Sequence, residues 1–252
     1  MQHLYWRQII ACCIILSISL NGFGQKGGIN QPDHDDEKFW AGAYVGFISS
    51  NFQYTRGNAF LPGNIGPNST KYIISNPVPS INFGIPITNR IYKNLLFRYG
   101  IGIILDNNIN NNYKTPTDSI YYRLTTIVSQ IPVALKYESD RYDFLNYTDA
   151  MRHYIFAGAT LNYNFSNGLV RLFKPLTNST SDVLPILKST NLTYDLGFGL
   201  TFIVNDYIRI SPEIKFSYGI NNLIKPAVTN SPLLNLDKLT GNYVSFSLHI
   251  EN

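Results

Sequence analysis

The stretch that decides the fold is residues 207–226, with the sequence YIRISPEIKFSYGINNLIKP. Read in steps of two between 208 and 218, one set of side chains is apolar and the other is polar or charged. The apolar set is Ile208, Ile210, Pro212, Ile214, Phe216 and Tyr218, and the other set is Arg209, Ser211, Glu213, Lys215 and Ser217. Successive side chains of a β-strand point to opposite faces, so this pattern predicts a strand of about twelve residues. A strand of that length, oily on one side and charged on the other, is typical of the wall of a transmembrane β-barrel.

The same alternation recurs in seven further segments after residue 38. The predicted strands are about 39–49, 78–88, 95–105, 125–138, 154–165, 192–204 and 243–250, which together with the stretch above make eight. The faces opposite the apolar ones are rich in Gly, Ser, Asn and charge, and small residues suit the crowded interior of an eight-stranded barrel. The sequence therefore predicts an all-β, antiparallel up-and-down transmembrane barrel.

The connections alternate in length. The long ones are 50–77, 106–122, 166–190 and 220–240, and the others are 89–94, 139–153 and 205–206. Long external loops that alternate with short periplasmic turns are typical of outer-membrane barrels, and an even strand count puts both termini in the periplasm. The 139–153 connection is long for a periplasmic turn, and its acidic and aromatic residues suit a periplasmic contact: Asp140, Tyr142, Asp143, Phe144, Tyr147 and Asp149.

Residues 1–24 have the pattern of a secretory signal peptide, with Arg7 before a short apolar core at 9–20 and a predicted cut before Gln25. That core is too short to span a bilayer. Residues 25–38 are polar and predict a flexible periplasmic linker, so the barrel domain is predicted over 39–252. Both cysteines, Cys12 and Cys13, lie in the leader, so the mature chain is expected to contain neither a disulfide nor a thiolate metal site.

Composition agrees with a membrane barrel. Charged residues make up only 14% of the 252 residues, and the chain has 18 tyrosines, whose rings suit the edges of a bilayer. The net charge of +4 is scattered, with no Lys/Arg block, which argues against nucleic-acid binding.

Charges on the inward faces of the predicted strands need partners, because buried ions are costly when unpaired. We expect these side chains to form a structural polar cluster in the lumen, in which Glu213 pairs with Arg98 or a neighbouring cation. The cluster is Arg98, Lys136, Arg209, Glu213 and Lys215.

Few residues point to chemistry. A Ser–His hydrolase is conceivable, since His249 lies two residues from Ser247 and four from Ser245, but the sequence offers neither an acidic orienter nor an oxyanion element. No set of residues has zinc-ligand spacing, and no glycine loop suits a phosphate. We therefore expect a protein without catalytic activity, cofactor, metal or small-molecule substrate.

The run from Pro212 to Gly219, followed by Asn221, Asn222 and Leu223, resembles the penultimate strand of the PorT/SprT family of outer-membrane barrel proteins. The positions that carry the resemblance are Pro212, Glu213, Lys215, Phe216, Ser217 and Gly219. It covers most of the chain in strand layout but only about 207–224 in recognisable residues. The resemblance implies an outer-membrane protein required for type IX secretion and, in gliding species, for displaying motility adhesins. Its implied partners are outer-membrane lipid and other type IX secretion components.

Two alternatives remain open on the sequence. One is a generic small outer-membrane barrel of the OmpA/OmpX type, which serves as an adhesin or envelope stabiliser. The other is a soluble lipocalin-like barrel that binds an apolar ligand. A lipocalin keeps its apolar face inside, whereas here the charges share a face with glycine. The chain ends in His-Ile-Glu-Asn (249–252) and lacks the terminal aromatic residue common in outer-membrane barrels.

Overall fold

The computed structural model describes residues 38–56, 72–114, 119–144, 147–165, 169–173, 180–183, 188–205, 208–224 and 236–252. The predicted signal peptide and residues 25–37 of the predicted linker lie outside the described residues. The strands, in chain order, are β1 (Phe39–Arg56), β2 (Tyr72–Tyr92), β3 (Leu95–Lys114), β4 (Ser119–Glu138), β5 (Tyr142–Phe144), β6 (Tyr147–Asn164), β7 (Leu169–Phe173), β8 (Thr180–Val183), β9 (Thr190–Asn205), β10 (Ile208–Gly219) and β11 (Leu236–Glu251).

Eight of these strands form a closed antiparallel ring. The order is β6–β9–β10–β11–β1–β2–β3–β4, and β4 pairs back with β6 to close the barrel. The first and last strands meet in this ring, because β1 pairs with β11 from Gly42↔Glu251 to Arg56↔Leu236. The predicted eight-stranded up-and-down barrel is confirmed. Closure leaves the ring without a free edge, which is what allows a sheet to cross lipid.

The outside of the barrel is apolar across all eight strands. Residues 208 to 218 of β10 alternate as the sequence predicts, with Arg209, Glu213 and Ser217 buried and Phe216 and Tyr218 exposed. Large apolar side chains that face outward include Val45, Phe47, Ile81, Phe83, Ile101, Ile131, Val133, Leu135, Ile155, Leu196, Phe198, Phe246 and Leu248. The soluble lipocalin-like alternative is wrong, since that fold requires the opposite facing.

Exposed aromatic rings mark both borders of this apolar surface. Phe39, Tyr92 and Tyr137 lie at the end with the short turns, which is the periplasmic end of outer-membrane barrels. At the other border, Tyr163 meets Phe165 edge to face and Tyr194 stacks on Tyr218, with ring centroids 5.5 and 5.1 Å apart. Ile155 of β6 pairs with Tyr137 and therefore lies at the periplasmic border. Tyr163, at the other border, is eight residues further along β6. That span is close to the 9–11 residues with which a tilted strand crosses a bilayer. The exterior thus has the apolar band and the two aromatic girdles of a bilayer-spanning barrel.

Several strands are longer than predicted. Both ends of the predicted loop 50–77 and most of the predicted loop 106–122 are strand, because β1 continues to Arg56, β2 begins at Tyr72, β3 continues to Lys114 and β4 begins at Ser119. The Asn-rich run beyond Leu105 has no apolar alternation, yet its backbone pairs with β4 from Asn107↔Thr126 to Lys114↔Ser119. Ladder hydrogen bonds need only backbone groups, so a side-chain pattern that marks the lipid-facing part of a strand underestimates its length.

The predicted connections also contain short strands. β7 and β8 lie in the predicted 166–190 loop, where β7 pairs with β4 at Tyr121–Thr125 and β8 pairs with β7. The predicted 139–153 connection contains β5, which pairs with an early start of β6. Among the described residues, no helix is long and apolar enough to cross a membrane.

Candidate functional site in the barrel lumen

The lumen is filled by three successive layers of side chains. The layer furthest from the short turns is apolar and consists of Ile48, Ile104, Val128 and Tyr243. Beside it, hydrogen-bonded amides fill the space: Gln130 Nε2 donates to Asn162 Oδ1 at 2.7 Å, and Asn191 Nδ2 donates to Tyr243 Oη at 3.2 Å. This end of the lumen therefore contains a packed layer whose amide groups donate to one another and to backbone carbonyls.

The middle layer is centred on an ion pair. Arg98 Nη1 donates to Glu213 Oε2 at 2.6 Å, and Tyr154 Oη donates to the same oxygen at 3.0 Å. Arg98 also lies over the Phe156 ring, 4.6 Å from its centroid. Both charged side chains are buried, and a charge-assisted hydrogen bond in low dielectric is strong. This pair ties β3 to β10 across the barrel.

Tyr44 crosses the same layer because two neighbouring strands carry glycine. A Cβ at Gly84 would lie 2.7 Å from a Tyr44 ring carbon, and a Cβ at Gly102 would collide with Tyr44 Oη. The ring also stacks on His249, with centroids 5.0 Å apart. These two glycines therefore make room for an aromatic side chain that fills the lumen.

The layer nearest the short turns contains the second ionic cluster. Glu138 accepts contacts from Lys136 Nζ at 3.2 Å and Arg152 Nη1 at 3.4 Å, and Thr201 Oγ1 donates to it at 3.3 Å. Lys136 Nζ also lies 3.8 Å from the centroid of the Tyr154 ring, which links this layer to the middle one. Arg209 lies over the buried indole of Trp40 at 5.0 Å.

The five charged residues predicted for the lumen all lie on inward faces, but they belong to different layers. Arg98 and Glu213 pair directly, while Lys136 pairs with Glu138 and Arg209 contacts Trp40. Lys215 is only half-buried and, with Arg98, Glu213 and His249, lines a cavity of about 40 Å³. A cavity of that size has room for one or a few waters beside these polar side chains.

Sequence reasoning missed several members of these layers. Trp40, Tyr154 and Arg152 occupy inward-facing positions of their strands, so the alternation that placed Arg98 inward could also have found them.

The other residues of the family-like motif are part of the barrel wall. Pro212, Phe216 and Ser217 continue the β10 ladder, and a Cβ at Gly219 would lie 2.8 Å from the Gly241 carbonyl oxygen.

The Ser–His contact that the sequence makes conceivable is present, but its geometry is not that of a catalytic triad. Ser247 Oγ lies 3.0 Å from His249 Nε2, and Glu213 Oε1 lies 3.6 Å from the same nitrogen. A triad needs the acid on Nδ1, and Nδ1 of His249 has no partner among the described residues. The carboxylate also bonds to Arg98, which keeps it in the structural network. Within the described ranges, no group of three or more His, Cys, Asp or Glu could hold a metal ion.

Solved structures with a similar chain course are small outer-membrane barrels. Neisserial surface protein A is 13% identical, with 88% of this chain and 98% of that chain covered and a TM-score of 0.44. The outer-membrane protein OprG from Pseudomonas aeruginosa is 10% identical, covers 87% and 98%, and also has a TM-score of 0.44. The outer-membrane protein AlkL in lipid bilayers is 9% identical, covers 90% and 95%, and has a TM-score of 0.40. No protein-family model and no curated protein matches the chain.

The location of the protein follows from its own surface. A closed antiparallel ring of eight strands, an apolar exterior and two aromatic girdles are the properties of bacterial outer-membrane barrels. Inside, Arg98 pairs with Glu213, and Lys136 and Arg152 pair with Glu138. The chain is an outer-membrane β-barrel that contacts lipid across its outer face.

Proposed function

We propose that this barrel is a non-enzymatic surface protein that serves as an adhesin or envelope stabiliser through the sheet it extends beyond the membrane. The observation that carries the proposal is the length of β2, β3 and β4, which have 21, 20 and 20 residues. A tilted strand crosses the bilayer with about 9–11 residues. About half of each strand is therefore available outside the membrane.

The extension is a continuous sheet. Beyond the outer aromatic girdle, β2 pairs with β3 at 72–77, β3 pairs with β4, β4 pairs with β7, and β7 pairs with β8. Ladder hydrogen bonds hold the backbones of these strands at fixed spacings. Such a platform suits contact with a surface or with neighbouring envelope components.

The filled lumen supports a function other than transport. Eight strands leave an interior just wide enough for side chains, and here the Arg98–Glu213 pair lies between an apolar layer and a second ionic layer. Ser247 and Glu213 both lie at Nε2 of His249, which is not the arrangement of a catalytic triad, and this supports the non-enzymatic part of the proposal.

The test replaces residues 109–124 with Asn-Gly in the complete chain. Asn108 and Thr125 are directly opposite, so a two-residue turn can join them without altering the barrel below. We expect the variant to assemble, as judged by heat-modifiable mobility on gels, but to lose adherence or detergent resistance when it complements a deletion strain. Full complementation of both phenotypes would overturn the proposal, and stable single-channel currents from the parent barrel in planar bilayers would contradict a closed lumen.

Type IX secretion is the second candidate, and its support is the sequence of β10 from Pro212 to Gly219. The test is a census of secreted proteins in the medium and periplasm after deletion of the gene. Retention of type IX cargo in the periplasm, reversed by the parent chain and by the 109–124 variant, would favour this role over an external one. Normal secretion after deletion would contradict a role in type IX secretion.

A further inference from the structure

The cavity beside the Arg98–Glu213 pair is lined by two side chains that each carry an unpartnered polar atom. Asn82 Oδ1 and His249 Nδ1 have no hydrogen-bond partner within the described part of the chain, and the two residues are only 2% and 5% exposed. Ser247 Oγ lies 3.0 Å from His249 Nε2, so Nδ1 is the ring nitrogen that remains. Buried polar atoms are nearly always hydrogen-bonded, so the occupant of the cavity must donate to the amide oxygen and bond to the ring nitrogen.

Two opposite charges also line this cavity without forming a direct ion pair. Asp195 is 3% exposed and accepts from the hydroxyls of Thr160 and Thr193, the latter at 3.0 Å. Neither Asp195 nor Lys215 has an ion-pair partner among the described residues. They are diagonal neighbours in the β9–β10 ladder, because Lys215 pairs with Gly197, two residues from Asp195. A buried carboxylate without a cation is costly, so a polar occupant between the two charges would stabilise both.

The balance of charge favours a neutral occupant. Arg98 and Lys215 bring two positive charges to the cavity wall, and Glu213 and Asp195 bring two negative ones. An anion would meet the carboxylates, and a cation would meet the lysine. Water donates to an amide oxygen or a carboxylate, accepts from an ammonium and can bond to either form of the ring nitrogen, so it suits all four groups. At about 10–15 Å³ for each water, the cavity of about 40 Å³ has room for about three.

We propose that a cluster of about three bound waters occupies this cavity, held by Asn82, Asp195, Lys215 and His249. In this arrangement Asp195 and Lys215 form a water-mediated ion pair inside the membrane-spanning barrel. The cluster satisfies the amide oxygen and the ring nitrogen, and it gives each of the two charges a polar neighbour. The site goes beyond the proposed surface function, since it lies in the lumen and concerns how the middle layer accommodates its charges.

The first experiment detects the water through Ala134, a small residue that also lines the cavity. The complete chain is labelled at its alanine methyl groups and refolded into perdeuterated detergent, and nuclear Overhauser transfer from water to each methyl group is recorded. We expect a cross-peak at Ala134 and none at Ala43, the matched control, which is exposed on the lipid-facing side of β1. Asn82→Leu, which replaces an acceptor by a larger apolar group, should reduce the Ala134 cross-peak several-fold.

The Asn82→Leu variant separates bound water from exchanging hydroxyl protons. The hydroxyls of Ser245 and Ser247, which line the cavity, exchange with solvent and can imitate bound water, but both remain in this variant. A cross-peak of unchanged intensity in folded Asn82→Leu protein therefore overturns the proposal. Absence of the Ala134 cross-peak in the parent protein overturns it as well, whether or not the variant folds. Heat-modifiable gel mobility shows whether each protein has folded.

The second experiment measures the water-mediated pair by urea unfolding in lipid vesicles, with Asp195→Asn, Lys215→Met and the double variant. Each single variant leaves one charge without its bridged partner. The unfolding equilibrium constant of the double variant should therefore be about fivefold smaller than the two single effects combined would give. The matched control combines Asp195→Asn with Lys93→Met, whose effects should be additive because Lys93 is exposed and pairs with Asp140. Additivity of Asp195→Asn with Lys215→Met, or equal coupling in the control, overturns the pair.

Discussion

Arg98 Nη1 and Glu213 Oε2 lie 2.6 Å apart in the middle of the lumen, although 115 residues separate them in sequence. Tyr154 Oη donates to the same carboxylate oxygen at 3.0 Å. The three residues come from β3, β10 and β6, so the contact exists only after the ring has closed. The pair therefore depends on the complete barrel and cannot form within a hairpin.

Arg98→Ala should destabilise the barrel by about 3–5 kcal/mol, because it leaves Glu213 charged and buried without its main partner. Arg98→Met with Glu213→Gln should recover most of this loss, since it removes both charges while the glutamine carbonyl still accepts from Tyr154. The measurement is the free energy of unfolding in urea, in lipid vesicles. A double variant as unstable as Arg98→Ala would show that the cost lies in packing and that the unpaired charge contributes little.

Ile214→Arg should block or severely weaken assembly. Ile214 faces lipid between Phe198 and Phe246 on the neighbouring strands, and an arginine near the bilayer midplane costs about 2–4 kcal/mol. The matched control is the next residue, Lys215→Ser, which faces the cavity and should be tolerated much better. The yield of heat-modifiable barrel after refolding into vesicles measures both. Equal damage from the two substitutions would contradict the facing of β10.

The facing of the strands was predictable, but the contacts in the lumen were not. A period of two in β10 is a local property, so it already places Glu213 inside and Ile214 outside. Which inward residues meet depends on how far the strands shift as the ring closes. Arg98 and Lys136 share the inward face, yet only Arg98 reaches Glu213, while Lys136 pairs with Glu138 two residues away.

Strand length was underestimated for a different physical reason. Lipid imposes apolar alternation only within the bilayer, so the pattern on β3 ends near Leu105 although its backbone ladder continues to Lys114. Trp40 and Tyr154 were missed because large aromatic residues on an inward face do not look like lumen residues when charge and glycine are the expected signal. In the structure, they fill space that Gly, Ser and Asn leave open.

Gly102→Ala should destabilise the barrel by about 1–3 kcal/mol, the usual cost of overpacking a filled interior. The added Cβ would collide with Tyr44 Oη, and the Tyr44 ring has little freedom because it also lies on Gly84 and His249. Tyr44→Phe in the Gly102→Ala background should recover part of the loss, since it removes the colliding oxygen. Urea unfolding of the two single variants and the double variant gives the coupling between the sites. Strict additivity would contradict the collision.

Asp140 should titrate below the ordinary aspartate value of about 3.9. The Asn94 amide donates to Asp140 Oδ1 at 3.3 Å, and Lys93 Nζ lies 3.4 Å from the same oxygen. The Asn94 hydrogen bond is the largest cause that lowers the pKa of Asp140, and the Lys93 contacts also lower it. Since the folded-state pKa is the lower one, the interaction stabilises the barrel above the unfolded pKa and is lost as the pH falls through the folded value. Asn94→Ala and Lys93→Ala should therefore each raise the Asp140 pKa. Carboxyl ¹³C NMR of the protein in detergent measures the Asp140 titration midpoint in each variant. Salt at 0.5 M should reduce the shift caused by Lys93→Ala more than the shift caused by Asn94→Ala, because salt screens the lysine charge. If Asn94→Ala left the Asp140 midpoint unchanged, the hydrogen bond between Asn94 and Asp140 would be contradicted.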